Sequence, residues 1–286
     1  MTKSLFMWAG GKRKLLKHYA PYMPNSVDSY CEPFFGGGAM YIHVMNTYKP
    51  KYARINDINS DIVRIYKCIK ENLDPFLIRL NDLEAQYIPL DKPDRKKLYY
   101  DIRSEHAWKH EAYSEPEEAA TLYFLMKTGF NGVYQLNHNT NGRYGTPSGL
   151  LNQKDQVYDR NVIVWWNQAL QITDIQSSDW KDAVDGMPDK TFYFFDPPYR
   201  DSFADYGNGF TDDQLLDLIS FCDNQTLVML SNRDDEDWFA NQKRTLDSAH
   251  IDVTYTAGRR KKTEDGFAAK KAREILLYRT DSEVFT

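Results

Sequence analysis

The sequence predicts an α/β protein in which a long, mainly helical insertion interrupts the core that forms the sheet. Near the N-terminus two strand-like stretches, residues 27–31 and 52–56, flank a helix-like stretch at 39–48. Strand-like runs return in the last third of the 286 residues, and between the two parts apolar residues recur at helical spacing. Strands that alternate with helices around one sheet are typical of α/β folds.

The insertion is predicted to cover residues 60–161, between a first core part at 1–59 and a second core part at 162–286. Its opening stretch repeats apolar residues such as Ile62 and Ile65 at the spacing of one helix face. A helical insertion between two strand-bearing parts means that one core is built from both ends of the chain.

A β-hairpin is predicted inside the insertion, at about residues 130–149. Asn141 and Gly142 stand between two strand-like runs there, and Asn-Gly is the strongest short-range signal for a tight hairpin turn. In the second core part, a helix at 211–223 is marked at its start by Thr211 and Gln214 in a capping-box pattern. Further strands are expected at residues 170–175, 192–195, 227–230, 250–255 and 274–278.

A glycine-rich turn follows the first predicted strand and reads Glu-Pro-Phe-Phe-Gly-Gly-Gly from Glu32 to Gly38. Glycines permit a close backbone approach to a ligand, and the helix that follows offers free N–H groups at its start. Asp57 stands 20 positions after Gly37, at the tip of the second strand. An acid at about this spacing binds ribose hydroxyls in dinucleotide folds, so the pattern predicts a nucleotide-type site.

An N-terminal block from Phe6 to Lys12 adds two candidates. Trp8 is placed to cover a cofactor, and Lys12 to neutralise a carboxylate. One alternative is a simple turn into a helix at 12–19. Another is a phosphate-binding loop, but the spacing G-x-x-x-x-G-K-[ST] is absent and Arg13 follows the lysine.

The most informative residues are Asp196, Pro197, Pro198 and Tyr199, which follow the apolar run 191–195. Two prolines end a strand and leave carbonyls without ladder partners. Asp196 and the Pro197 carbonyl can each accept one hydrogen of an amino group on a flat base, while the Tyr199 ring stacks on its face. This arrangement fits methyl transfer to an exocyclic nitrogen, whereas the alternative is an ordinary turn.

These three blocks, in this order, resemble the Dam family of DNA adenine-N6 methyltransferases of bacteria and phages. The resemblance extends to residues 129–132, 145–149, 231–232 and 273–278. It implies a Rossmann-like class I S-adenosylmethionine-dependent methyltransferase core with an inserted target-recognition domain that bears the hairpin. It also implies methyl transfer to adenine N6 in double-stranded DNA, typically within GATC.

Carried over by motif, the resemblance assigns residues to the cofactor and to the base. The catalytic segment comprises Asp196, Pro197, Pro198 and Tyr199, with Tyr199 stacked on an adenine flipped out of the duplex. The cofactor contacts are Trp8, Gly10, Lys12, Phe35, Gly36, Asp57 and Asp196. The segment after Tyr199, at 200–209, is polar and glycine-bearing and is expected to form a mobile lid.

The hairpin is where this chain departs from the family. The family places an arginine that reads guanine at the position of Gln135, and glutamine suits adenine instead. We therefore expect a target that is altered or relaxed relative to GATC. The alternatives are that Gln135 tolerates the same site or that a neighbouring side chain takes over the reading. Phe130 matches an aromatic wedge beside the flipped base, and the remaining candidate DNA contacts are Asn131, Tyr134, Asn137 and Arg143.

Composition sets limits on partners. The net charge is −5, which by itself argues mildly against nucleic acid, but basic clusters at 12–17, 259–262 and 270–273 can form a DNA-facing surface. The three cysteines have no C-x-x-C spacing, and no stretch is long and apolar enough to span a bilayer. We expect a monomer in the cytoplasm of a bacterial or phage-infected cell.

No metal site is expected. His106 and His110 stand four positions apart, but they lack a third ligand, and such a pair is more typical of a solvated helix face. Other functions stay open from the sequence. A cytosine-N4 methyltransferase would carry serine in place of Asp196, and an RNA adenine methyltransferase more often carries asparagine there. A DNA-binding protein that has lost catalysis would still bind the cofactor.

Overall fold

The computed structural model describes residues 2–8, 10–200, 210–234, 237–255, 261–263, 266–268 and 270–281. The predicted lid at 200–209 therefore lies outside the described residues except for Arg200, and so do Arg259 and Arg260 of the second basic cluster. None of the described helices is both long and apolar enough to cross a membrane.

Helices dominate the middle of the chain and strands its two ends. The α-helices are α1 (Leu16–Tyr19), α2 (Ala39–Thr47), α3 (Ser60–Glu71), α4 (Leu73–Tyr87), α5 (Lys92–Trp108), α6 (Glu115–Thr128), α7 (Arg160–Leu170), α8 (Trp180–Val184), α9 (Asp212–Cys222) and α10 (Trp238–Gln242). The strands are β1 (Ser29–Glu32), β2 (Tyr52–Asn56), β3 (Leu136–Asn137), β4 (Arg143–Tyr144), β5 (Thr173–Gln176), β6 (Phe192–Phe195), β7 (Leu227–Arg233), β8 (Asp247–Tyr255), β9 (Lys261–Thr263), β10 (Gly266–Ala268) and β11 (Lys270–Arg279).

The central sheet is mostly parallel and, among the described residues, has the strand order β5-β2-β1-β6-β7-β11-β8. β1 pairs with β6 and β6 with β7 in parallel, with Tyr30 opposite Phe192 and Phe195 opposite Leu230. β11 is antiparallel to both of its neighbours, β7 and β8. The molecule is therefore of the mixed α/β class, consistent with a methyltransferase fold.

The order of the strands reverses between β1 and β6. The chain passes outward from β1 to β2 and β5, and β6 then occupies the other side of β1. Because β1 and β6 are parallel, the segments that follow them leave the sheet at the same edge. Open α/β sheets bind ligands outside the carboxyl ends of strands at such a switch point.

Several predicted elements are confirmed to the residue. β2 and β6 have the predicted bounds, and the capping box at the start of α9 forms as expected, with Thr211 and Gln214 each accepting the other's backbone N–H. β6 consists of four consecutive buried aromatic residues, as befits a strand covered on both faces.

Two predicted elements are wrong in detail. The helix at 12–19, considered as an alternative for the N-terminal block, is a 3₁₀ turn at Lys12–Lys14 followed by the short helix α1. The strand expected from residue 170 begins only at Thr173. Apolar residues from 162 to 170 form the buried side of α7 instead, which a short apolar run cannot reveal by itself.

The chain forms two compact units. The first contains Met1–Arg13, Phe35–Thr47 and Arg54–Ala183, and the second contains Lys14–Phe34, Tyr48–Ala53 and Val184–Thr286. In the first unit, Tyr41 stacks on Trp166 with ring centroids 5.4 Å apart. In the second, the edge of the Phe221 ring meets Tyr193 at 5.4 Å.

Candidate functional site

The glycine-rich turn of the first unit is closed by Asp57. The backbone N–H of Gly36 donates to Asp57 Oδ2 at 2.8 Å, and the N–H of Asn59 donates to Asp57 Oδ1 at 2.9 Å. Burial raises the pKa of the Asp57 carboxyl, and the two N–H donors oppose that rise by stabilising the charged form. Each carboxylate oxygen keeps a further lone pair, so Asp57 can still accept a hydroxyl from a ligand.

Trp8 lies directly against this turn. Gly36 has a φ of +48°, and a Cβ built on it would stand 2.6 Å from Trp8 Cδ1. The indole also meets the rings of Phe6 at 5.9 Å and of Tyr134 at 5.8 Å. The tight turn and the indole therefore depend on the absence of a side chain at residue 36.

Phe35 is buried and packs edge-on against Tyr66 and Trp166, so its side chain belongs to the floor beneath the turn. The Tyr66 hydroxyl donates to the carbonyl of Gly36 at 3.1 Å. In the N-terminal block, Lys12 is almost fully buried, and its ammonium donates to the Gly10 carbonyl at 3.1 Å. The structure thus brings Trp8, Phe35, Gly36 and Asp57 into one cluster of contacts, and it links Lys12 to Gly10.

In the second unit, the segment from Asp196 to Tyr199 follows β6 as predicted. Asn232, near the end of β7, supports this segment. Its amide nitrogen donates to the carbonyls of Pro198 at 3.4 Å and Pro197 at 3.5 Å, both at the long end of the hydrogen-bond range. Its amide oxygen accepts the N–H of Arg200 at 3.4 Å. The prolyl carbonyls are therefore held by a buried amide instead of by a strand.

Tyr199 has a partner that the sequence argument did not assign. Its hydroxyl donates to Oε1 of Glu274 at 2.9 Å, and Glu274 is fully buried in β11. The available signal was a lone acid in the otherwise apolar run Ile275, Leu276 and Leu277. An acid in such a run needs a partner, because an unpaired buried carboxylate is costly.

The predicted hairpin forms, although its strands are short. β3 pairs with β4 in antiparallel fashion, and the N–H of Gly145 donates to the Gln135 carbonyl at 2.7 Å. Phe130, in the preceding turn, is 49% exposed, and the side chain of Gln135 is also exposed. Asn131 is exposed with a φ of +53°. These three side chains are accessible to a partner.

Two other predicted DNA contacts are engaged within the protein. The Tyr134 hydroxyl donates to Asp61 at 2.6 Å, and the Arg143 guanidinium donates to Glu118 at 2.6 Å. Asn137 accepts the N–H of Asn139 with its side chain, so it shapes the turn of the hairpin. Burial and the Asp61 charge raise the pKa of Tyr134, which keeps its hydroxyl a proton donor.

The expected solvated histidine face is wrong. His106 is 1% exposed because α5 packs that side against α6, and its two ring nitrogens have no hydrogen-bond partner. Burial, and secondarily the charge of Arg143, lowers the pKa of His106 to about 4. His106 is therefore a neutral core residue at ordinary pH.

One other group of potential metal ligands occurs among the described residues, Asp234, Asp237 and His250. Asp234 already accepts the N–H groups of Phe239 and Ala240, and Arg273 donates to Asp237 at 2.6 Å. Both carboxylates therefore have partners within the protein: Asp234 binds the first N–H groups of α10, and Asp237 pairs with Arg273.

Comparison with known proteins gives a family. The family model for D12 class N6 adenine-specific DNA methyltransferases matches residues 8–255. The type II methyltransferase M.MjaIII of Methanocaldococcus jannaschii is 29% identical over 253 residues, which cover 83% of this chain and 86% of that protein. The type II methyltransferase M1.LlaDCHI of Lactococcus lactis subsp. cremoris is 31% identical, with 79% of each chain covered. The DNA adenine methylase of Escherichia coli K12 is 23% identical, over 94% of this chain and 96% of that one.

Proposed function

Because the chain belongs to the D12 class of N6 adenine-specific DNA methyltransferases, we propose that it flips an adenine out of double-stranded DNA and methylates N6 directly from S-adenosylmethionine. We assign the holding of the base to the segment after β6 and the binding of the cofactor to the turn closed by Asp57. The hairpin-bearing segment at 60–161 is assigned to target recognition, and the enzyme is expected to act as a monomer in a bacterial or phage-infected cell, without a metal ion.

The observation that carries this proposal is the support of the segment Asp196–Pro197–Pro198–Tyr199 by Asn232 and Glu274. An adenine amino group is a weak nucleophile because its lone pair is delocalised into the ring. Asp196 and the Pro197 carbonyl each accept one amino hydrogen, which draws the lone pair out of conjugation with the ring and holds it toward the methyl carbon. A carbonyl has two lone pairs, so Pro197 keeps one for the base while Asn232 approaches the other.

Alignment supplies most of the rate in such a reaction, since fixed acceptors need no reorganisation when the base arrives. Removing the base from the duplex costs a few kcal/mol, and stacking on Tyr199 returns about 1–3 kcal/mol of that cost. Asp196 also attracts the positive charge that develops on the amino group, until the excess proton of the methylated nitrogen passes to water.

The first unit fits the proposed cofactor. Asp57 presents a carboxylate that can accept ribose hydroxyls, and the missing side chain of Gly36 lets the Trp8 indole lie against the turn, where it can cover the ligand. The buried Lys12 ammonium suits a carboxylate of the ligand. When bound, S-adenosylmethionine supplies a methyl group on a sulfonium, which is already a good leaving group, so the protein needs no nucleophile of its own.

The exposed residues of the hairpin support its role on DNA. Phe130 is exposed and apolar, as suits a wedge beside a flipped base, and the side chain of Gln135 is exposed as well, so its amide can reach a base. Glutamine pairs with adenine through N6 and N7, whereas arginine pairs with guanine. We propose a target that is related to GATC but altered or relaxed at the position that Gln135 reads.

Methyl transfer by the Asp196→Ala variant tests the catalytic assignment. Radiolabelled S-adenosylmethionine and adenine-containing duplex DNA are the substrates, and Asp213→Ala is the matched control because Asp213 is exposed at the start of α9 and lies outside the segment. We expect Asp196→Ala to lose transfer by at least about a thousandfold with an unchanged melting temperature, in line with the loss of a central electrostatic contact. Turnover near the wild-type rate in a folded Asp196→Ala protein would refute the assignment.

A further inference from the structure

The Tyr199 hydroxyl and the Glu274 carboxylate form a bond that joins the segment after β6 to a strand 75 residues away. Glu274 is fully buried, and the residues that follow it in β11, Ile275 to Leu277, are buried too. A carboxylate in such surroundings destabilises a fold unless it is bound, so packing alone gives no reason for an acid here.

A second support lies on the neighbouring strand. Asn232 of β7 faces Ile275 of β11, one position from Glu274. Asn232 bonds to the backbone on either side of Tyr199, at the Pro198 carbonyl and the Arg200 N–H. The backbone at Tyr199 and the far end of its side chain are therefore fixed separately by two paired strands.

The bond at the hydroxyl fixes the direction of the Tyr199 side chain, which limits its first side-chain torsion. The hydroxyl oxygen lies on the axis about which the ring turns, but a phenolic O–H prefers the plane of its ring, so an acceptor fixed at Glu274 also favours one ring plane. A stacked base gains most when the ring is already in the right plane, because no rotational freedom is lost on binding.

We propose that Glu274 is a positioning residue for methyl transfer, which holds the Tyr199 ring in the plane on which the flipped adenine stacks. This inference rests on the proposed function, since it assumes that Tyr199 receives the base. Glu274 itself does not touch the base. Its proposed effect on the base is exerted through the bond to the Tyr199 hydroxyl.

Four variants separate this role from a general role in folding. Glu274→Gln keeps an oxygen acceptor of the same reach, Glu274→Leu removes it, Tyr199→Phe removes the donor and keeps the ring, and a double variant combines Tyr199→Phe with Glu274→Leu. The measurement is the single-turnover rate of methyl transfer to a duplex with one target site. Tyr199→Phe breaks the same bond without altering the buried strand, so it still tests the inference if Glu274→Leu does not fold.

We expect Glu274→Gln to stay within about threefold of the wild type, and Glu274→Leu and Tyr199→Phe each to be about tenfold slower, as fits one lost hydrogen bond to a charged group. We expect the double variant to be at most about twofold slower than Glu274→Leu, because both changes remove the same interaction.

A second duplex lacks the base opposite the target adenine. An unpaired base is cheaper to flip, so stacking matters less for holding it out of the helix. We expect the tenfold defect of Glu274→Leu to shrink to about twofold on this duplex. A protein that is merely damaged in its fold would be equally slow on both.

The inference is overturned if Tyr199→Phe or folded Glu274→Leu matches the wild type, if Glu274→Gln is as slow as Glu274→Leu, or if the two losses multiply in the double variant. An undiminished defect on the unpaired target also overturns it. In each of these cases the wild type still methylates adenine. A wild type that transfers no methyl group to adenine N6 would instead refute the proposed function.

Discussion

At the scale of single residues, the turn after β1 depends on the absence of a side chain. Gly36 combines a left-handed backbone with a Trp8 indole that leaves no room for a Cβ, and its N–H closes the turn onto Asp57. The sequence indicated that glycine was needed near a nucleotide-type ligand, from the run of three and the acid 20 positions later. It could not indicate that Trp8 is the neighbour, because that contact joins segments that are not adjacent in the chain.

Gly36→Ala is predicted to weaken cofactor binding. The new methyl group would displace Trp8 and strain the turn, so we expect the Kd for S-adenosylhomocysteine, measured by calorimetry, to rise by at least about tenfold. Gly186→Ala is the matched control, because Gly186 also has a positive φ, +67°, but has nothing within 4 Å of the added Cβ. Equal affinities of the two folded variants would contradict the assignment of this turn to the cofactor.

His106 makes the stability of the protein depend on pH. Its pKa is lowered from 6.5 to about 4 in the folded protein, so the unfolded chain binds a proton that the folded chain does not. The contribution to stability is complete above pH 6.5 and is lost as the pH falls from there toward 4. By pH 5 the loss amounts to about 2 kcal/mol.

Urea unfolding of His106→Leu at pH 8 and pH 5 measures the contribution of His106 to the pH dependence of the unfolding free energy. We expect the fall in unfolding free energy between the two pH values to be smaller than in the wild type by about 2 kcal/mol. His138→Gln is the control, since His138 is exposed on the hairpin and should keep the wild-type dependence. An unchanged fall in His106→Leu would mean that His106 is not kept neutral by burial.

At the scale of elements, the hairpin shows what a local pattern can and cannot predict. Asn141 and Gly142 predicted a tight turn, and both have a positive φ in the structure. The partners of its side chains were not predictable from the pattern. Arg143 meets Glu118 of α6 and Tyr134 meets Asp61 of α3, and such pairs join distant positions in the chain.

A cluster of charges anchors this element. Glu118 accepts the guanidinium groups of both Arg64 and Arg143, while Arg103 of α5 donates to the carbonyls of Gly145 and Thr146. These bonds fix the side of the hairpin that faces the helices. The reading of DNA is therefore assigned to the exposed residues, Phe130 and Gln135 above all.

Gln135→Arg is predicted to change the target preference. Arginine pairs with guanine O6 and N7, and a good bidentate pair contributes about 1–3 kcal/mol of discrimination, or roughly fivefold to 150-fold in rate ratio. We expect methylation of a library of duplexes to shift toward guanine at one position of the target. Asn139→Arg adds the same charge to an exposed site of the hairpin and should leave the preference unchanged. The same shift in both variants would mean that the added positive charge alone changes the target preference, and it would contradict the reading of a base by residue 135.

At the scale of the whole molecule, the order of chemical blocks along the chain was the most informative feature of the sequence. The core strands β1, β2 and β6 were predicted because each is a short strand-like stretch beside a turn signal. The position of β11 between β7 and β8 was not, since strand pairing between distant segments leaves no mark on local periodicity. The pairing of β11 with β7 brings the buried Glu274 to Tyr199, and local sequence could not indicate that contact.

The family decides between the functions that the sequence left open. A cytosine-N4 enzyme and an RNA enzyme both differ from the class that matches residues 8–255, which is specific for adenine N6 in DNA. The net charge of −5 taken alone argues against a nucleic-acid substrate. That argument is wrong here because the sum over a chain does not show where the basic residues are placed.

Adenine-N6 methylation by this protein is tested most directly by mapping modified bases in plasmid DNA. The plasmid comes from a methylation-deficient host that expresses the protein, and the bases are mapped by single-molecule sequencing. We expect N6-methyladenine at one short, recurring motif in the wild type and none with Asp196→Ala. Methylation confined to GATC would support the proposed adenine-N6 methylation and would refute the altered target assigned to Gln135. Modified cytosine, or no modified base at all, would contradict the account.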